Sequence, residues 1–589
     1  MRISRTGVIS SLLAALLVQT TFAFAQQAAD AVQPEDQVGA VDRSSASPVI
    51  GKDWMVSTAN PHASEAGAAV LRNGGNAIDA MVAVQTTLGL TEPQSSGLGG
   101  GAFLMYWDNS AKRLVNFDAR ETAPLNVKPT HFLNEDGKPL RFFDAVVSGM
   151  SVGVPGMPKL LWEVHQKYGK SEWAPLLSHA RQLAEDGFEI SPRLAGLIAG
   201  RVETLGQFQK SRDYFLTPDG NGKPQGNLLK NPEYAETLAL FQKEGADVFY
   251  TGEIAQKIVD AVQSAEIKPG PLSMTDMAIY EIREREPVCV VYRGLNVCGA
   301  GPPTSGGIAV GQILGILENF DIAALGPNTL ESLQMIGDAT RLAFADRARY
   351  VADIDFVAVP VKGLVRRDYL KRRARLLEVG KKLEDAPAGE PLFDHALNFA
   401  DDPSREIPST THFVIRDSFG NVVSMTASIE SAFGSNLMAG GFLLNNQLTD
   451  FSFITHIDNL PVANAIAPGK RPRSSMSPTI VMKGGEPYIA IGSPGGSRII
   501  PYVAKAIIAL VDWDMNIQEA INLPHFANRF GAFALEDSTA AVALDAPLRA
   551  LGYDTVTVPL NSGLHGLVIE DEQLEGGADP RREGVVIAE

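Results

Sequence analysis

The sequence predicts a large mixed α+β protein. Three observations point there. Strand patterns flank a long, mostly helical middle region. Apolar residues make up 45% of the 589 positions, enough for a sizeable core. Gly/Pro/Asp turn clusters separate the periodic runs.

Taken in order, the chain opens with Arg2 and Arg5 ahead of an apolar run, Val8 to Val18, and then Ala23-Phe24-Ala25, an A-x-A cleavage pattern. Residues 1–25 therefore read as a secretory signal peptide. The apolar run is too short to span a bilayer, and no later stretch reads as transmembrane. The expectation is a periplasmic or secreted protein with no membrane association after signal removal. A net charge of −17 disfavours nucleic acid and anionic membranes as partners. It does not exclude an anionic substrate, because one local arginine can outweigh the bulk sign.

Residues 26 to about 50 read as a loose polar arm. A helix over 63–71 ends at Gly74-Gly75, and Asn76 opens a second over 77–88 with an apolar face. A turn cluster at 93–101 precedes strands at 101–107 and 113–118. Helical periodicity dominates 155–380, interrupted by a hairpin and by the Gly301 to Gly307 loop. In that hairpin, Arg293-Gly294 as central turn residues set Cys289 opposite Cys298; export permits a disulfide, and two reduced thiols are the other reading. Two cysteines cannot build a zinc knuckle. The Asp/Pro-rich stretch 384–409 reads as an exposed, flexible segment. It runs into strands at 411–415 and 421–426 joined by a turn at 417–420. A hairpin over 479–492 and helices at 499–513 and 517–523 follow.

Three short motifs invite chemistry. Gly97-Leu98-Gly99-Gly100-Gly101-Ala102 fits a dinucleotide fingerprint, but no strand precedes it and a strand, not a helix, follows. Gly149-Met150-Ser151-Val152-Gly153 fits a nucleophile elbow with His525 or His565 available later, yet Pro155-Gly156 starts the required helix poorly. Its plain reading is a glycine-rich loop packed on the core. The third is Ser409-Thr410-Thr411-His412. A chain cut before a threonine frees an α-amine, of ordinary pKa about 7.7–8, that can activate the threonine hydroxyl. The chemistry alone does not choose between Thr410 and Thr411.

Several blocks together resemble one family. They are 63–64 through Gly74-Gly75-Asn76-Ala77-Ile78-Asp79-Ala80 to 93–101, Pro302-Pro303-Thr304-Ser305-Gly306-Gly307, Thr410-Thr411-His412-Phe413 and Leu444-Asn445-Asn446-Gln447. Arg471-Pro472-Arg473-Ser474-Ser475-Met476-Ser477-Pro478, Gly492-Ser493-Pro494-Gly495-Gly496-Ser497 and Asp579-Pro580-Arg581-Arg582 complete the set. Over nearly all of the mature chain the sequence resembles the γ-glutamyltranspeptidases, N-terminal-nucleophile hydrolases with a four-layer αββα sandwich.

The resemblance implies a precursor cut between Ser409 and Thr410 into a large subunit, 26–409, and a small one, 410–589, that stay associated as a heterodimer. It implies Thr410 as nucleophile and amine base, Ser428 in support, and Gly495 and Gly496 as the oxyanion hole. It implies Arg120, Ser474 and Ser475 on the substrate α-carboxylate, and Gln447 and Asp450 on the α-ammonium. The bland alternative for Arg120 is an ion pair with Asp118 or Glu121. The substrate would be glutathione or another γ-glutamyl compound, with water, an amino acid or a dipeptide as acceptor. The mechanism implied needs no cofactor or metal.

Two departures stand out. Glu430 falls where many members have Asn, which should alter substrate preference more than the reaction. Between Asp450 and Ser474 the chain is too short for the family's longer lid; no residue matches its aromatic convincingly, and Phe453 is the candidate. The rivals are a cephalosporin (glutaryl) acylase of the same family, a serine hydrolase using Ser151, and an uncut two-lobed solute-binding protein.

Overall fold

The computed structural model describes residues 47–394, 398–404, 409–570 and 573–589. The expected signal peptide, 1–25, and most of the expected N-terminal arm lie outside the described residues. In chain order the elements that build the site are β1 (Val49–Gly51), β2 (Met55–Thr58), α1 (Pro61–Arg72), α2 (Ala77–Thr91), β3 (Gly101–Asp108), β4 (Arg113–Ala119) and α3 (Met157–Tyr168). Then come β5 (Arg283–Arg285), β6 (Val288–Tyr292), β7 (Leu295–Gly299), α4 (Gly306–Leu317) and α5 (Leu330–Tyr350). The C-terminal part adds β8 (Thr411–Arg416), β9 (Val422–Ser428), β10 (Thr479–Lys483), β11 (Glu486–Gly492), α6 (Ile499–Val511), β12 (His565–Glu570), β13 (Gln573–Ala578) and β14 (Val585–Ala588).

Two seven-stranded antiparallel sheets result, in the orders β14-β2-β8-β9-β3-β4-β5 and β1-β13-β12-β11-β10-β7-β6. Alternation along the strands explains why they stack. In β8, Phe413 and Ile415 join a cluster with α2 and α3, while Val414 points the other way, into a cluster with the second sheet and α4, α5 and α6. Phe103, Met105 and Trp107 of β3 likewise face the second sheet, and Leu104 and Tyr106 face the helices. Helices thus cover the outer face of each sheet, which makes a four-layer αββα sandwich.

Local signals set the helix boundaries. The Asn60 side chain caps α1, with Pro61 in its first turn, and an Asn76/Asp79 capping box starts α2. Burial of α2 extends beyond the expected apolar face: all fifteen residues are buried, Asp79, Gln85, Thr86, Thr87 and Thr91 included, because α2 lies between α1, α3 and the first sheet. At the β6–β7 turn, Arg293 and Gly294 both have positive φ, the conformation a two-residue hairpin turn requires. The register is Tyr292 to Leu295 and Cys289 to Cys298, and the two cysteines form a disulfide.

Two expectations of looseness are corrected, the second in part. Val49–Gly51, at the end of the arm, pair with β13. Much of the described Asp/Pro-rich stretch is exposed as expected, Leu392 and Asp401 among it, but the part nearest the site is anchored. Asp402 is buried on Arg473 at 2.8 Å, and Ser409 is buried too.

Candidate active site

The strands that carry the predicted site end side by side. β8 starts directly after Thr410, and its partner β9 ends at Ser428, with Thr411 opposite Ala427. Ser428 is opposite Gly101 at the start of β3, and β4 ends one residue before Arg120. A Cβ on Gly100 would sit 2.1 Å from the Ser428 carbonyl oxygen, so this approach of two backbones demands glycine. From the second sheet, β11 ends at Gly492, and the turn into α6 passes through Gly495 (φ +136°) and Gly496 (φ +57°).

These ends enclose one pocket. It is lined by Arg120, Ser409, Thr410, Ser428, Glu430, Gln447, Asp450, Ser474, Ser475, Met476, Gly496 and Ile499, and its free volume is about 20 Å³. The structure therefore brings together every side chain expected at the site. Gly495 does not line the pocket; its α-carbon faces the Tyr502 ring.

Around the scissile bond three hydroxyls converge. The Thr410 hydroxyl donates to the Ser409 carbonyl of the uncut chain. The Ser428 hydroxyl is 3.2 Å from that carbonyl oxygen and 3.3 Å from Thr410 Oγ1. The Ser409 hydroxyl donates to the Gln94 carbonyl at 2.9 Å, three residues ahead of the glycine-rich run that fits a dinucleotide motif.

Deeper in the pocket, Arg120 is buried and not on the surface. Its Nη2 donates to Asp450 and, at 2.8 Å, to the Arg473 carbonyl; Nε donates to the Pro472 carbonyl at 3.1 Å. Among the described residues, the ion-pair partner of Nη1 is Glu121, at 3.8 Å. Gln447 Nε2 donates to Asp450 at 3.3 Å. Two acceptors, Gln447 Oε1 and Asp450 Oδ1, are buried with no hydrogen-bond partner among the described residues. An unpaired buried acceptor is costly unless something supplies a proton donor. Burial pushes the Asp450 carboxyl up, while the Arg120 guanidinium pulls it down. Burial pushes Glu121, behind the guanidinium, up to about 8.

Glu430 holds a positive φ of 78°, strained for a side chain of this kind. Its backbone N–H donates to Ser428 Oγ at 2.9 Å and its carboxylate accepts from Asn446 Nδ2, which fixes it beside the nucleophile. The Ser474 backbone is clamped by Thr304 and Ser305, so the Pro302–Gly307 loop buttresses the paired serines. Among the described residues, no group of three or more His, Cys, Asp or Glu side chains is placed to hold a metal ion.

Comparison with known proteins agrees with this geometry. The family model described as gamma-glutamyltranspeptidase matches residues 63–589. The chain belongs to that family. A glutathione hydrolase proenzyme of Bacillus subtilis (strain 168) is 37% identical, over 98% of this chain and 97% of its own. The glutathione hydrolase proenzyme of Escherichia coli (strain K12) is 34% identical, over 91% of each. Among solved structures, a cephalosporin acylase from Bacillus halodurans superposes with a TM-score of 0.81 at 25% identity, covering 94% of this chain and 99% of that one.

Family membership sharpens what the sequence reading missed. Arg347 on α5 donates to Ser475 Oγ at 3.0 Å and to Ser305 Oγ at 2.8 Å. Arg582 donates to the Thr410 carbonyl at 2.8 Å. Nothing local in the sequence marks Arg347; Arg582 lay in a matched motif with no role attached. The elbow serine finds no such company. Ser151 Oγ donates to the Val146 and Ser148 carbonyls in a buried turn, and no histidine hydrogen-bonds to it among the described residues. Phe453 stacks on Phe132 with centroids 4.3 Å apart, away from the pocket lining. No helix among the described residues is long and apolar enough to cross a membrane.

Proposed function

We propose that the chain cuts itself between Ser409 and Thr410 and then transfers γ-glutamyl groups, through an ester on Thr410, to water or an amine acceptor. The pair of unpartnered buried acceptors beside the Arg120 guanidinium carries this reading. A guanidinium with a spare N–H face and two acceptors a few ångströms away match the α-carboxylate and α-ammonium of a glutamyl group. Ser474 and Ser475 add hydroxyls on the carboxylate side.

The cleavage step follows from the hydroxyl cluster. Thr410 Oγ1 attacks the Ser409 carbonyl carbon, Ser428 donates to the carbonyl oxygen, and the acyl group moves from the Thr410 nitrogen to its oxygen. Water then hydrolyses the ester, leaving a carboxylate on Ser409 and a free amine on Thr410. Until then, Ser409 in the wall and about 20 Å³ of space leave no room for a glutamyl group. In the mature enzyme the amine takes the proton of its own hydroxyl, which attacks the γ-carbonyl, and the Gly495–Gly496 backbone N–H groups receive the oxyanion. The amine then protonates the leaving nitrogen, and water or an acceptor amine completes transfer. Glutathione and related γ-glutamyl compounds are the substrates, residues 26–409 and 410–589 form the heterodimer, and the signal peptide sends it to the periplasm or medium.

The acylase reading has the structural likeness to the Bacillus halodurans protein in its favour. A glutaryl group has no α-ammonium, however, and would leave Asp450 and Gln447 unanswered. Intact mass of wild type and Thr410→Ala tests the cleavage. Two wild-type fragments, the smaller beginning at Thr410, with a whole variant, are expected; a folded wild type that stays whole and hydrolyses no γ-glutamyl anilide refutes the reading.

A further inference from the structure

Arg582 has no role in the chemistry so far, although it is bonded to the backbone of the proposed nucleophile. It lies in the turn between β13 and β14, buried, with Nη1 on the Thr410 carbonyl and Nε on the Ser562 carbonyl, both at 2.8 Å. The direction of every bond behind it is determined. The Lys505 ammonium can only donate, and it gives hydrogen bonds to the Leu523 and Pro524 carbonyls and to His525 Nδ1 at 2.8 Å. His525 therefore carries its proton on Nε2, which donates to Ser562 Oγ at 2.6 Å, and Ser562 donates onward to Asp579. This chain of one-way bonds fixes Ser562, and Ser562 fixes the guanidinium.

The charged groups around Thr410 are few. Arg120, Glu430 and Asp450 line the pocket on its side-chain side. On its backbone side, Arg582 is flanked by Asp579 and by Glu92, which is 3.0 Å from Arg193; the Glu583 carboxylate accepts from the Arg193 backbone. Burial pushes Glu92 up to about 8 and holds His412, two residues on, well below the imidazole range, so His412 is neutral. A guanidinium keeps its charge even when buried.

We propose that Arg582 is a positioning residue: it fixes Thr410 through its carbonyl, and its charge keeps the α-amine freed by cleavage in the unprotonated form that accepts the hydroxyl proton. The inference rests on the reading of Thr410 as an N-terminal nucleophile. A positive charge held on the same residue opposes formation of the ammonium, by roughly one to two pH units at the separations and dielectric of a buried site.

The test is the pH profile of kcat/KM on a γ-glutamyl anilide for mature wild type, Arg582→Gln and Arg582→Lys. Beside it runs the pH dependence of carbamylation of the Thr410 amine by cyanate, read by mass of the small fragment. In wild type the amine should titrate at least one unit below the 7.7–8 of an ordinary chain end. The glutamine variant should move both the amine midpoint and the acid limb up by roughly one to two units, while lysine leaves them within about half a unit. If Arg582→Gln remains uncut, the lysine variant decides: an unmoved limb supports the proposal, and an upward shift of a unit with the charge retained overturns it. A glutamine variant slowed equally at all pH values, with its limb unmoved, also overturns it. A cut, active wild type whose amine titrates at 8 or above defeats this inference alone; a wild type that stays whole defeats the reading of Thr410 as well.

Discussion

Asp450→Asn separates the two acyl specificities that this architecture can serve. The carboxylate accepts from Arg120 and Gln447 and leaves Oδ1 open in a buried setting. Under the proposed reading that oxygen receives the α-ammonium of the glutamyl group. Asparagine keeps the shape and an acceptor for Arg120 but removes the charge. A hydrogen bond between charged groups is worth about 1.5–3 kcal/mol, so kcat/KM on a γ-glutamyl anilide should fall about 10- to 150-fold. A glutaryl anilide presents no ammonium to lose. Its rate should hold or rise, because a methylene no longer abuts a buried carboxylate. The assay is the ratio of the two kcat/KM values on protein whose cleavage is confirmed by mass and whose Tm is recorded. The Tm matters because Arg120 loses its charged partner, and breaking a buried ion pair by removing one member costs about 3–5 kcal/mol. Equal losses on both substrates would refute the reasoning, since the effect would then come from a disturbed Arg120 and not from ammonium recognition.

Three further outcomes follow from features elsewhere. Ser151→Ala should leave γ-glutamyl turnover within about twofold and cost about 1 kcal/mol of stability, read by denaturant midpoint, because its hydroxyl serves only two loop carbonyls. Replacing Cys289 and Cys298 together by Ser should lower stability by up to about 3 kcal/mol, the loop-closure value for a ten-residue hairpin, without changing kcat/KM. His565 is pushed down to about 4, chiefly by burial, from an unfolded value near 6.5. The unfolded chain therefore binds this proton first as pH falls. The stabilisation is complete above about pH 6.5 and is lost progressively as pH falls through 4, about 3 kcal/mol in all. His565→Asn should flatten the Tm profile in that window, and a variant with wild-type slope would show that another group sets it.

How much was legible in advance depended on whether a contact is local. The cap at Asn76, the hairpin register that pairs Cys289 with Cys298 and the strand opening at Thr411 are all decided by a few neighbouring residues, and pattern alone found them. Arg120 and Asp450 are 330 positions apart, yet both were expected in one pocket because the family resemblance assigns one to the substrate carboxylate and the other to its ammonium; their direct ion pair was not. Arg347 and Arg582 were not anticipated. Each reaches the site from the far side of an element, α5 or the β13–β14 turn, and only the packing of both sheets puts it there. The buried part of the stretch before Thr410 has the same origin. Its Asp and Pro content predicts exposure, but Asp402 is drawn inward by Arg473, a residue 71 positions away that composition cannot see.

If the stretch between Asp450 and Ser474 is shorter than the family's lid, as the resemblance implies, it tests whether selectivity in this pocket needs a cover. Phe453, the candidate to reach across, is stacked between Phe132 and Phe142 instead, in the wall of a largely apolar cavity of about 520 Å³ that runs past Thr449, Phe451 and Ile454. The aromatic's surface is already used, so drawing it over the glutamyl group would cost that stacking, about 0.5–1.5 kcal/mol per ring pair beyond its buried area. Discrimination then falls to the polar floor: Arg120, Asp450 and Gln447, with Glu430 held at the rim by Asn446. An uncovered ester on Thr410 is open to water as well as to an amine. Under the proposed reading the ratio of hydrolysis to transfer should therefore rise as acceptor is diluted and fall again when a bulky side chain narrows the opening. Trp at Ile454, in the wall of this neighbouring cavity, which shares no lining residue with the glutamyl pocket, tests whether the cavity is the approach to Thr410. With a dipeptide acceptor held constant, product analysis should show more transfer in Ile454→Trp than in wild type. An unchanged ratio would mean that water reaches the ester by another route and that the missing lid is not what sets the partition.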